Sequence, residues 1–388
     1  MHILILPSEQ FLTERHPAGG IFQYDQALAL SGSGHKVGIL SVGFISFRHI
    51  FRPYLYPDKE EVFNISIYRS YKRSLLLERF VPSSFNRVRY VRIFKEIYLS
   101  YISKHGVPDI VHAHNFLYAG FLAEWIKDTY GLPFVLTEHS TAFARRLIPN
   151  RYDHLLKRVA SKAGVISCVS TPFKRLLEGR LGIMCDVLPN IVDFCFLAKD
   201  FSRDSSSNFI FLTVGSLEYK KNHELLLRSF AAGFKNQQAY LRIGSDGPLR
   251  RKLIRLAREL GILGQVFFLG HLSRDDVVGE MQRANCFVLP SNYETFGVVL
   301  IEALASGLPL IATRCGGPED IVNAGNGRLV DVGSVEQLAS AMRYVKNNIT
   351  KYSRDTLRNE ASTHYSASAF VKRAIDFYER AIEKNSNY

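Results

Sequence analysis

Residues 286–305 read CFVLPSNYETFGVVLIEALA, and this stretch decides the fold prediction. The apolar run at its start is typical of a buried strand, and residues 296–305 have the composition of a helix. Glu294 lies in the turn-like segment between them, and Glu302 follows about two turns into the helix. Helix N-termini bind anions because their first amides lack internal partners and the helix dipole favours negative charge. A strand, a loop and a helix in this order therefore predict an α/β fold with an anion site at the loop.

The residues around the predicted helix start suit a phosphate group that is flanked by hydroxyl groups. Four amides would face the anion, those of Thr295, Phe296, Gly297 and Val298. Glu294 before them and Glu302 beyond them could accept hydrogen bonds from hydroxyls of a sugar and of a ribose, since carboxylates are strong acceptors. The pattern therefore indicates a nucleotide-sugar site.

Strand-like and helix-like segments alternate along residues 1–198 and again along residues 209–366. This alternation indicates two parallel sheets with crossover helices, that is, two Rossmann-like domains. The polar, serine-rich residues 199–208 are typical of a linker. Residues 367–388 have helical spacing and are expected to pack back on the first domain. Ligands bind at the carboxyl ends of parallel strands, so the two domains are expected to face each other across a cleft.

Composition agrees with a globular protein of two domains, with 388 residues, 47% hydrophobic and 22% charged. The net charge is +13, and a local excess of basic residues lies in residues 69–95. Its members are Arg69, Lys72, Arg73, Arg79, Arg87, Arg89, Arg92 and Lys95, with Glu78 as the one acid. Interleaved aromatic residues make this stretch suit an anionic membrane surface or a solvated helix face equally, and nucleic acid less well. No nucleic-acid partner is expected.

Cysteine usage and hydropathy predict a cytoplasmic protein. The five cysteines are scattered, with no pair at metal-ligand spacing, as for thiols in a reducing compartment. Residues 1–6 lack the basic region and cleavage site of a signal peptide. The apolar stretch at residues 37–47 is too short to span a bilayer. Any membrane contact is therefore expected to be peripheral, at the inner face of the cell membrane.

Short motifs follow one another in a fixed order along nearly the whole chain. They are AGGI (residues 18–21), HAH (112–114), TEHS (137–140), LPNIVD (188–193), VGSL (214–217), KKNH (220–223), GSDGP (244–248), the two glutamates eight positions apart, and GGPE (316–319). In this order they resemble the retaining glycosyltransferases of family 4, also called glycosyltransferase group 1, which have the twin-Rossmann GT-B fold.

The resemblance implies a role in donor binding for residues in several of these motifs. Gly19 and Gly20 would lie against the donor diphosphate, because glycine lets backbone amides approach closely. Lys221 would neutralise charge that grows on the leaving nucleotide. Glu302 would hold the ribose hydroxyls, and Glu294 the donor sugar near the reacting carbon. Gly244, Ser216 and the amides of residues 295–298 would complete the donor site. Each residue also has an ordinary structural reading, as a turn glycine, an exposed lysine or a solvated carboxylate.

Three histidines gain roles by the same resemblance. His139 would lie next to the donor sugar, and with Glu294 and Lys221 it forms the implied catalytic set. His112 and His114 alternate onto one strand face, where a purely structural role is as good a reading as an acceptor contact. Core packing is also an alternative for His139. Asn190 and Arg314 complete the group whose acceptor-side role is left open.

One departure from the family pattern lies at Ser216, where the resembling proteins usually carry an arginine five positions before the lysine. A guanidinium that could bind the diphosphate through two hydrogen bonds is therefore missing. Ser216 can donate one neutral hydrogen bond, and Lys220 or Arg314 are candidates to compensate.

The implied mechanism uses neither a cofactor nor a metal, since no Asp-x-Asp motif is placed to hold a divalent ion. Retention would follow from a same-face, oxocarbenium-like substitution in which the departing phosphate oxygen accepts the proton of the acceptor. No protein nucleophile is assigned, although Glu294 is the nearest carboxylate candidate.

The sequence thus predicts a metal-independent hexosyltransferase (EC 2.4) acting from a UDP-sugar, with a GDP-sugar as the second choice. Its acceptor would be a saccharide or polyprenyl-linked molecule of envelope or exopolysaccharide synthesis. The alternatives are a catalytically weak sugar- or lipid-binding protein of the same fold and a sugar-nucleotide epimerase. A dinucleotide oxidoreductase is disfavoured because residues 7–18, which follow the first strand, contain no glycine.

Overall fold

The computed structural model describes residues 1–8, 11, 19–45, 59–73, 83–198 and 208–386. The chain divides into two compact units. The N-terminal unit comprises Met1–Val169, Lys174–Ile191 and Ala367–Tyr388, and the C-terminal unit comprises Ser170–Phe173 and Val192–Ser366. Each unit is built on its own parallel sheet, which confirms the predicted α/β class with two domains.

The sheet of the N-terminal unit has its described strands in the order β3-β4-β2-β1-β5-β6-β7-β8. The pairs are parallel except for β3 with β4, which is antiparallel at one edge. The strands are β1 (His2–Leu6), β2 (Lys36–Ile45), β3 (Lys59–Val62), β4 (Ile65–Arg73), β5 (Ile110–His114), β6 (Phe134–Glu138), β7 (Val165–Cys168) and β8 (Asp186–Val187). Strands β1, β5 and β6 are buried along their whole length, because a parallel sheet is covered on both faces.

The sheet of the C-terminal unit has its described strands in the order β11-β10-β9-β12-β13-β14, and all of its pairs are parallel. The strands are β9 (Phe209–Val214), β10 (Ala239–Gly244), β11 (Val266–Gly270), β12 (Cys286–Leu289), β13 (Leu310–Thr313) and β14 (Gly327–Val330). The strand order reverses between β9 and β12. Open α/β sheets bind their ligands outside the carboxyl ends of strands at such a switch point. A ligand site is therefore expected at the loops after β9 and β12.

The helices lie between these strands and after them. They are α1 (Ile21–Gly32), α2 (Ser83–His105), α3 (Phe121–Tyr130), α4 (Asp153–Lys162), α5 (Thr171–Leu181), α6 (Phe194–Ala198), α7 (His223–Phe234), α8 (Arg250–Glu259), α9 (Arg274–Arg283), α10 (Val298–Ala305), α11 (Pro318–Ile321), α12 (Val335–Asn347), α13 (Arg354–Tyr365) and α14 (Ala367–Ser386). Helix α10 begins at Val298, two residues after the start expected from sequence.

The last helix, α14, belongs to the N-terminal unit. Phe370, Phe377 and Tyr378 lie in one buried cluster with Ile3 and Val135 of the sheet. Contact at Gly164 is so close that a Cβ there would lie 2.4 Å from the Cβ of Ala381. The helix is thus a structural part of this unit.

Residues 192–198 belong to the C-terminal unit, although the sequence reading placed the domain boundary after residue 198. The amide of Val192 donates to the carbonyl of Tyr365, and Arg358 donates to the carbonyl of Leu197 at 2.7 Å. These bonds tie the segment to α13. Residues 199–207 of the predicted linker lie outside the described residues.

The described basic side chains of residues 69–95 differ in how far they are exposed. Arg69 is only 2% exposed and pairs with Glu60 at 3.1 Å. Arg89 lies over the ring of Phe44, whereas Arg92 and Lys95 are exposed on α2. The side chains of residues 73, 79 and 87 lie outside the described part of the chain.

The described residues contain neither a helix suited to span a membrane nor a cluster of metal-ligating side chains. None of the helices in the described ranges is long and apolar enough to cross a membrane. Within the same ranges, three or more His, Cys, Asp or Glu residues do not gather in a group that could hold a metal ion. Of the five thiols, Cys168, Cys185 and Cys286 are buried.

Candidate active site

Lys221 and Glu294 meet at the carboxyl edge of the C-terminal sheet. Lys221 follows β9, and Glu294 follows β12, the two strands at the switch point. The ammonium of Lys221 donates to Glu294 Oε1 at 2.6 Å, and the side chains are 18% and 10% exposed. Two residues predicted to be catalytic thus form a half-buried ion pair, although 73 positions separate them.

The conformation of Glu294 is fixed from two directions. The hydroxyl of Ser291 donates to the same Oε1 at 2.7 Å. The amide of Gly317 donates to the carbonyl of Glu294 at 2.9 Å. A Cβ at Gly317 would lie 2.3 Å from the Cα of Phe296, so only glycine fits there. The GGPE motif therefore serves as a support for the Glu294 loop.

The loop that carries Lys221 is joined to the Glu294 loop through Asn292. The Asn292 amide donates to the carbonyl of Lys220 at 2.7 Å, and its side chain accepts from Asn222 at 2.9 Å. The aliphatic stem of Lys221 lies across Gly215, whose missing Cβ would be 3.5 Å from it. Gly215 in turn donates to the carbonyl of Gly244 at 3.0 Å. The motifs containing residues 215, 221, 244 and 294 thus form one connected structure.

The N-terminus of α10 adjoins Glu294. Gly297 caps the helix with a left-handed φ of 96°, a conformation that favours glycine. Thr295 and Phe296 are buried, and Val298 opens the helix. The structure therefore places the predicted amide donors of residues 295–298 in a helix-start turn, as an anion site requires.

Glu302 lies one turn further along α10 and has a cationic neighbour that the sequence analysis missed. Arg274 Nη2 lies 4.0 Å from Glu302 Oε1, and Arg274 Nε lies 2.6 Å from Asp193 Oδ2. The sequence holds only part of the signal: Ser273 and Asp276 form a capping box that starts α9, and this pattern predicts that Arg274 stands at a helix start, but not that it lies near Glu302.

The two candidates to compensate for Ser216 have other acidic neighbours. Arg314 Nε lies 3.8 Å from Asp331, and both side chains are more than half exposed. Lys220 lies 3.8 Å from Glu218. Among the described contacts, neither cation pairs with Glu294, so compensation at Ser216 stays a prediction.

In the N-terminal unit, Gly20 precedes α1 with a φ of 74°. A Cβ at this position would lie 2.5 Å from the ring of Phe11, so the close approach needs glycine. Gly19 is half-buried beside it. Ala18, the first residue of that motif, lies outside the described ranges.

The three predicted histidines form a stacked column at the carboxyl ends of β5 and β6. The ring centroids of His112 and His114 are 4.2 Å apart, and those of His114 and His139 are 5.1 Å apart. His114 Nδ1 and His139 Nε2 share a hydrogen bond of 2.9 Å. Sequence reasoning thus placed His112 and His114 on one face correctly, and the structure shows that both are fully buried.

Burial keeps these imidazoles neutral. It lowers the pKa of His112 to about 3 and that of His139 to about 4, and it holds the pKa of His114 well below its usual value, with further lowering from the neighbouring histidines. The charged form is disfavoured because it loses hydration and repels the other rings. At neutral pH the column can therefore donate and accept hydrogen bonds without carrying charge.

Glu138, between Thr137 and His139, is a second residue whose importance the sequence analysis missed. Its carboxyl is buried and accepts hydrogen bonds from the amides of Phe116, His139 and Ser140, at 2.8, 3.1 and 2.8 Å. Burial raises its pKa to about 7, against these hydrogen bonds. Glu138 thereby fixes the backbone on both sides of His139.

Asn190 lies near the end of the N-terminal unit and is 5% exposed. Its side-chain oxygen is buried and has no hydrogen-bond partner within the described ranges. A buried acceptor without a partner is uncommon, and its acceptor-side role stays a prediction.

Comparisons with known proteins show similarity to glycosyltransferases along both units of the chain. The model for "Glycosyl transferases group 1" matches residues 198–363, and that for "Glycosyltransferase Family 4" matches residues 20–194. An uncharacterized glycosyltransferase of Methanocaldococcus jannaschii is 24% identical over 94% of this chain and 95% of its own length.

Two solved structures share the fold. Sucrose-phosphate synthase from Thermosynechococcus elongatus has a TM-score of 0.76 at 19% identity, covering 98% of this chain and 99% of its own. Anabaena HepE, solved in complex with UDP and glucose, has a TM-score of 0.70 at 17% identity, covering 97% of this chain and 98% of its own.

Proposed function

Because the chain belongs to the group 1, family 4 glycosyltransferases, with the GT-B type of fold, we propose that it is a retaining enzyme that uses a nucleotide-diphosphate sugar. A UDP-sugar is favoured as donor, and a saccharide or polyprenyl-linked molecule of envelope or exopolysaccharide synthesis as acceptor. The observation that carries the proposal is the Lys221–Glu294 ion pair beside the N-terminus of α10.

The charges of this site suit a diphosphate that becomes a leaving group. The Lys221 ammonium is half-buried, so its field is less screened than that of an exposed lysine. The amides at the start of α10 add positive potential next to it. As negative charge grows on the departing phosphate, both interactions strengthen, and this lowers the barrier to bond cleavage.

The two carboxylates would bind the uncharged groups of the donor, which are its sugar and ribose hydroxyls. Glu294 and Glu302 would accept hydrogen bonds from hydroxyls of the sugar and of the ribose, respectively. When a sugar hydroxyl binds, Glu294 keeps its bonds to Lys221 and Ser291 through Oε1 and has Oε2 as a further acceptor. UDP is favoured because it is the commonest donor in the resembling family, and HepE, which has the same fold, was solved with UDP.

Retention is proposed through same-face substitution. The bond between the anomeric carbon and the phosphate oxygen breaks as the acceptor oxygen approaches from the same side, and the departing phosphate oxygen takes the acceptor proton. No protein nucleophile and no metal are needed in this scheme. His139 would hydrogen-bond the transferred sugar, as the resemblance implies.

A binding protein of the same fold is the second candidate, and Ser216 is the observation that favours it. The usual arginine is absent there, and neither Arg314 nor Lys220 pairs with Glu294 among the described contacts. A weakened diphosphate site would bind ligands without turnover.

The first test measures nucleotide binding without metal. Purified protein is heated with UDP, GDP, ADP or TDP and with their sugars, and stabilisation by UDP is expected because it binds only the folded state.

Glu302→Ala should weaken UDP binding with the fold intact. Lys221→Ala should lower kcat by roughly 10²- to 10³-fold, whereas Lys252→Ala, at an exposed position of α8, is the control and should change it little.

The outcomes separate the two candidates. Release of the nucleotide from a sugar donor, with an unchanged anomeric configuration in the product, supports a retaining transferase. Binding without turnover on any acceptor favours the binding protein. Absence of a thermal shift with every nucleotide would contradict the donor site itself.

A further inference from the structure

Two adjoining cavities lie at the amino-terminal edge of the sheet in the N-terminal unit. Their walls include Pro133, Gly164 and Cys185, which directly precede β6, β7 and β8. The volumes are about 670 and 360 Å³, and both cavities are bordered by Gly164 and Lys384, so that they form one amino-edge groove. The stacked histidine column lies at the opposite edge of this sheet, where β5 and β6 end.

The charged side chains that line the amino-edge groove are mostly cations. Two are acidic, Glu178 and Asp186, and six are basic: Lys127, Lys157, Lys162, Lys174, Arg380 and Lys384. Lys162, Lys174 and Arg380 form ion pairs with carboxylates. Among the contacts of the described residues, the other three cations form no ion pair. The groove therefore holds positive charge that the carboxylates of the protein do not neutralise.

Lys384 of α14 stands where the two cavities meet. Its ammonium donates to the carbonyls of Ala163 and Gly164 at 3.3 and 3.4 Å, so the backbone holds it in place. Burial lowers the pKa of Lys127, against the attraction of Asp128, and the charge of Lys384 lowers it further. Two cations that repel each other in this way are stabilised by an anion that binds to both.

Other cations of the N-terminal unit are neutralised by the fold itself. Arg69 pairs with Glu60 at 3.1 Å, and Arg180 pairs with Asp153 at 2.7 Å. The unpaired lysines of the groove are therefore more than a consequence of the basic composition, because they gather at a concave surface. A cleft lined by one sign of charge concentrates the opposite ion.

We propose that the amino-edge groove is a binding site for a ligand with two linked phosphate groups. Lysine ammonium groups are compact charges and common partners of phosphate. Two phosphates fit because the unpaired cations lie along both cavities, with Lys127 in the smaller one, Lys157 in the larger one and Lys384 in both. The assignment does not rest on glycosyl transfer.

The larger cavity also has an apolar side. Ile183 and Met184 contribute to its wall, and Met184 is 90% exposed. The volume of this cavity is in the range of small-molecule sites. An apolar group attached to the phosphates is therefore accommodated there, so the diphosphate can belong to a soluble molecule or to the headgroup of a lipid.

Calorimetric titration of the full chain with inorganic pyrophosphate, at low salt and without metal, measures the site. Lys384→Gln and Lys127→Gln should each weaken binding about tenfold, because each removes a charge-assisted hydrogen bond to phosphate. Pyrophosphate also suits the candidate donor site, so the difference between parent and variant reports the groove. Lys127→Gln leaves the backbone contacts of Lys384 in place and tests the site independently of them.

The matched control is Lys372→Gln, which removes an equal charge from an exposed position of the same helix, outside the groove. It should leave the affinity for pyrophosphate unchanged. Co-sedimentation with phosphatidylcholine vesicles that contain cardiolipin, whose headgroup carries two phosphates, tests the lipid source with the same three variants.

A loss in the two groove variants with pyrophosphate supports a soluble ligand, and a loss with cardiolipin vesicles alone supports a lipid headgroup. Equal behaviour of the Lys384, Lys127 and Lys372 variants with both probes would overturn the site. The affinity for UDP should be the same in the parent and in Lys384→Gln. A parent that binds no UDP but loses pyrophosphate affinity in Lys384→Gln contradicts the proposed donor site and supports the groove.

Discussion

At the scale of the single residue, Glu138 shows how burial and hydrogen bonding compete. Three amide donors favour its ionised form, while burial favours the neutral form and wins, so the pKa rises from its ordinary value of 4.5 to about 7. Between these two values the unfolded chain has lost a proton that the folded chain keeps. Stability linked to this group is therefore complete below pH 4.5 and is lost as the pH rises through 7.

The neighbouring histidines make the stability of the fold depend on pH in the opposite direction. Their pKa values are lowered on folding, so the stability they contribute is present above about pH 6.5 and is lost as the pH falls toward 4. Both effects act in the N-terminal unit. We therefore expect the free energy of unfolding of this unit to rise from pH 4 to 6.5. The rise should be less steep than the histidines alone would produce, because the contribution of Glu138 falls over the same range.

Glu138→Gln isolates the carboxyl contribution, because glutamine does not ionise. Relative to the parent, the variant should gain stability between pH 4.5 and pH 8, by about 3 kcal/mol on the basis of the pKa shift. Denaturant unfolding of the N-terminal unit at a series of pH values measures this. If the two stability curves run parallel, Glu138 does not titrate in this range.

Arg274 is a residue-scale feature of the C-terminal unit. Its guanidinium lies between Asp193 and Glu302, and a cation there orients the Glu302 carboxylate as a hydrogen-bond acceptor. Arg274→Gln should weaken UDP binding roughly five- to tenfold, about 1 kcal/mol, as expected for a half-exposed charge. The preference for UDP over its 2′- and 3′-deoxy forms should shrink in the same variant.

The matched control for Arg274 lies at the other end of the same helix. Arg283→Gln removes an equal charge, which pairs with Glu280 and is 63% exposed. Calorimetric titration of both variants with UDP gives the comparison. Equal affinity for all three proteins would remove Arg274 from the ribose side of the site.

At the scale of the element, α2 carries two basic residues of the stretch that are placed to meet an anionic surface. Arg92 and Lys95 are exposed on it, whereas Arg69 is buried against Glu60. Replacing both exposed residues with glutamine should weaken binding to vesicles that contain anionic phospholipid, at low salt, by about 1 kcal/mol per charge.

The control for α2 removes the same charge elsewhere. Arg251 and Arg255 are exposed on α8 and can be replaced by glutamine in the same way. Vesicle co-sedimentation of the two double variants compares a local effect with that of net charge alone. Equal losses would mean that α2 is an ordinary solvated face, the other reading that its sequence allows.

Strand–loop–helix elements were the part of the fold most accessible from sequence. The 286–305 stretch predicted β12, the Glu294 loop and α10 because the apolar run and the helical composition are local signals, whereas the cap at Gly297 that sets the start of α10 was missed. The Arg274–Glu302 approach and the buried state of Arg69 were not predictable. Both features depend on tertiary contacts between segments that are distant in sequence, and local sequence patterns do not reveal such contacts.

At the scale of the whole molecule, the chain returns to its first unit at the end. Helix α14 places Phe370, Phe377 and Tyr378 in the core of the N-terminal unit. Its helical spacing could be read from sequence, whereas the contact between Tyr378 and His112 could not, since the two residues are 266 positions apart. Because α14 carries core residues of the N-terminal unit, we expect its loss to destabilise that unit and to leave the C-terminal unit stable.

Ending the chain at Ser366 tests this dependence. Loss of α14 uncovers the N-terminal sheet and removes the partner of His112 Nδ1, so amides of β1 and β6 should exchange hydrogen much faster, while those of β9 and β12 keep their protection. Phe370→Ala should act in the same direction, with about 3–5 kcal/mol lost from the N-terminal unit, as for other buried aromatic residues. Glu383→Ala, at an exposed position of the same helix, should leave exchange unchanged. Full protection of β1 in the shortened chain would show that the unit holds its core without α14.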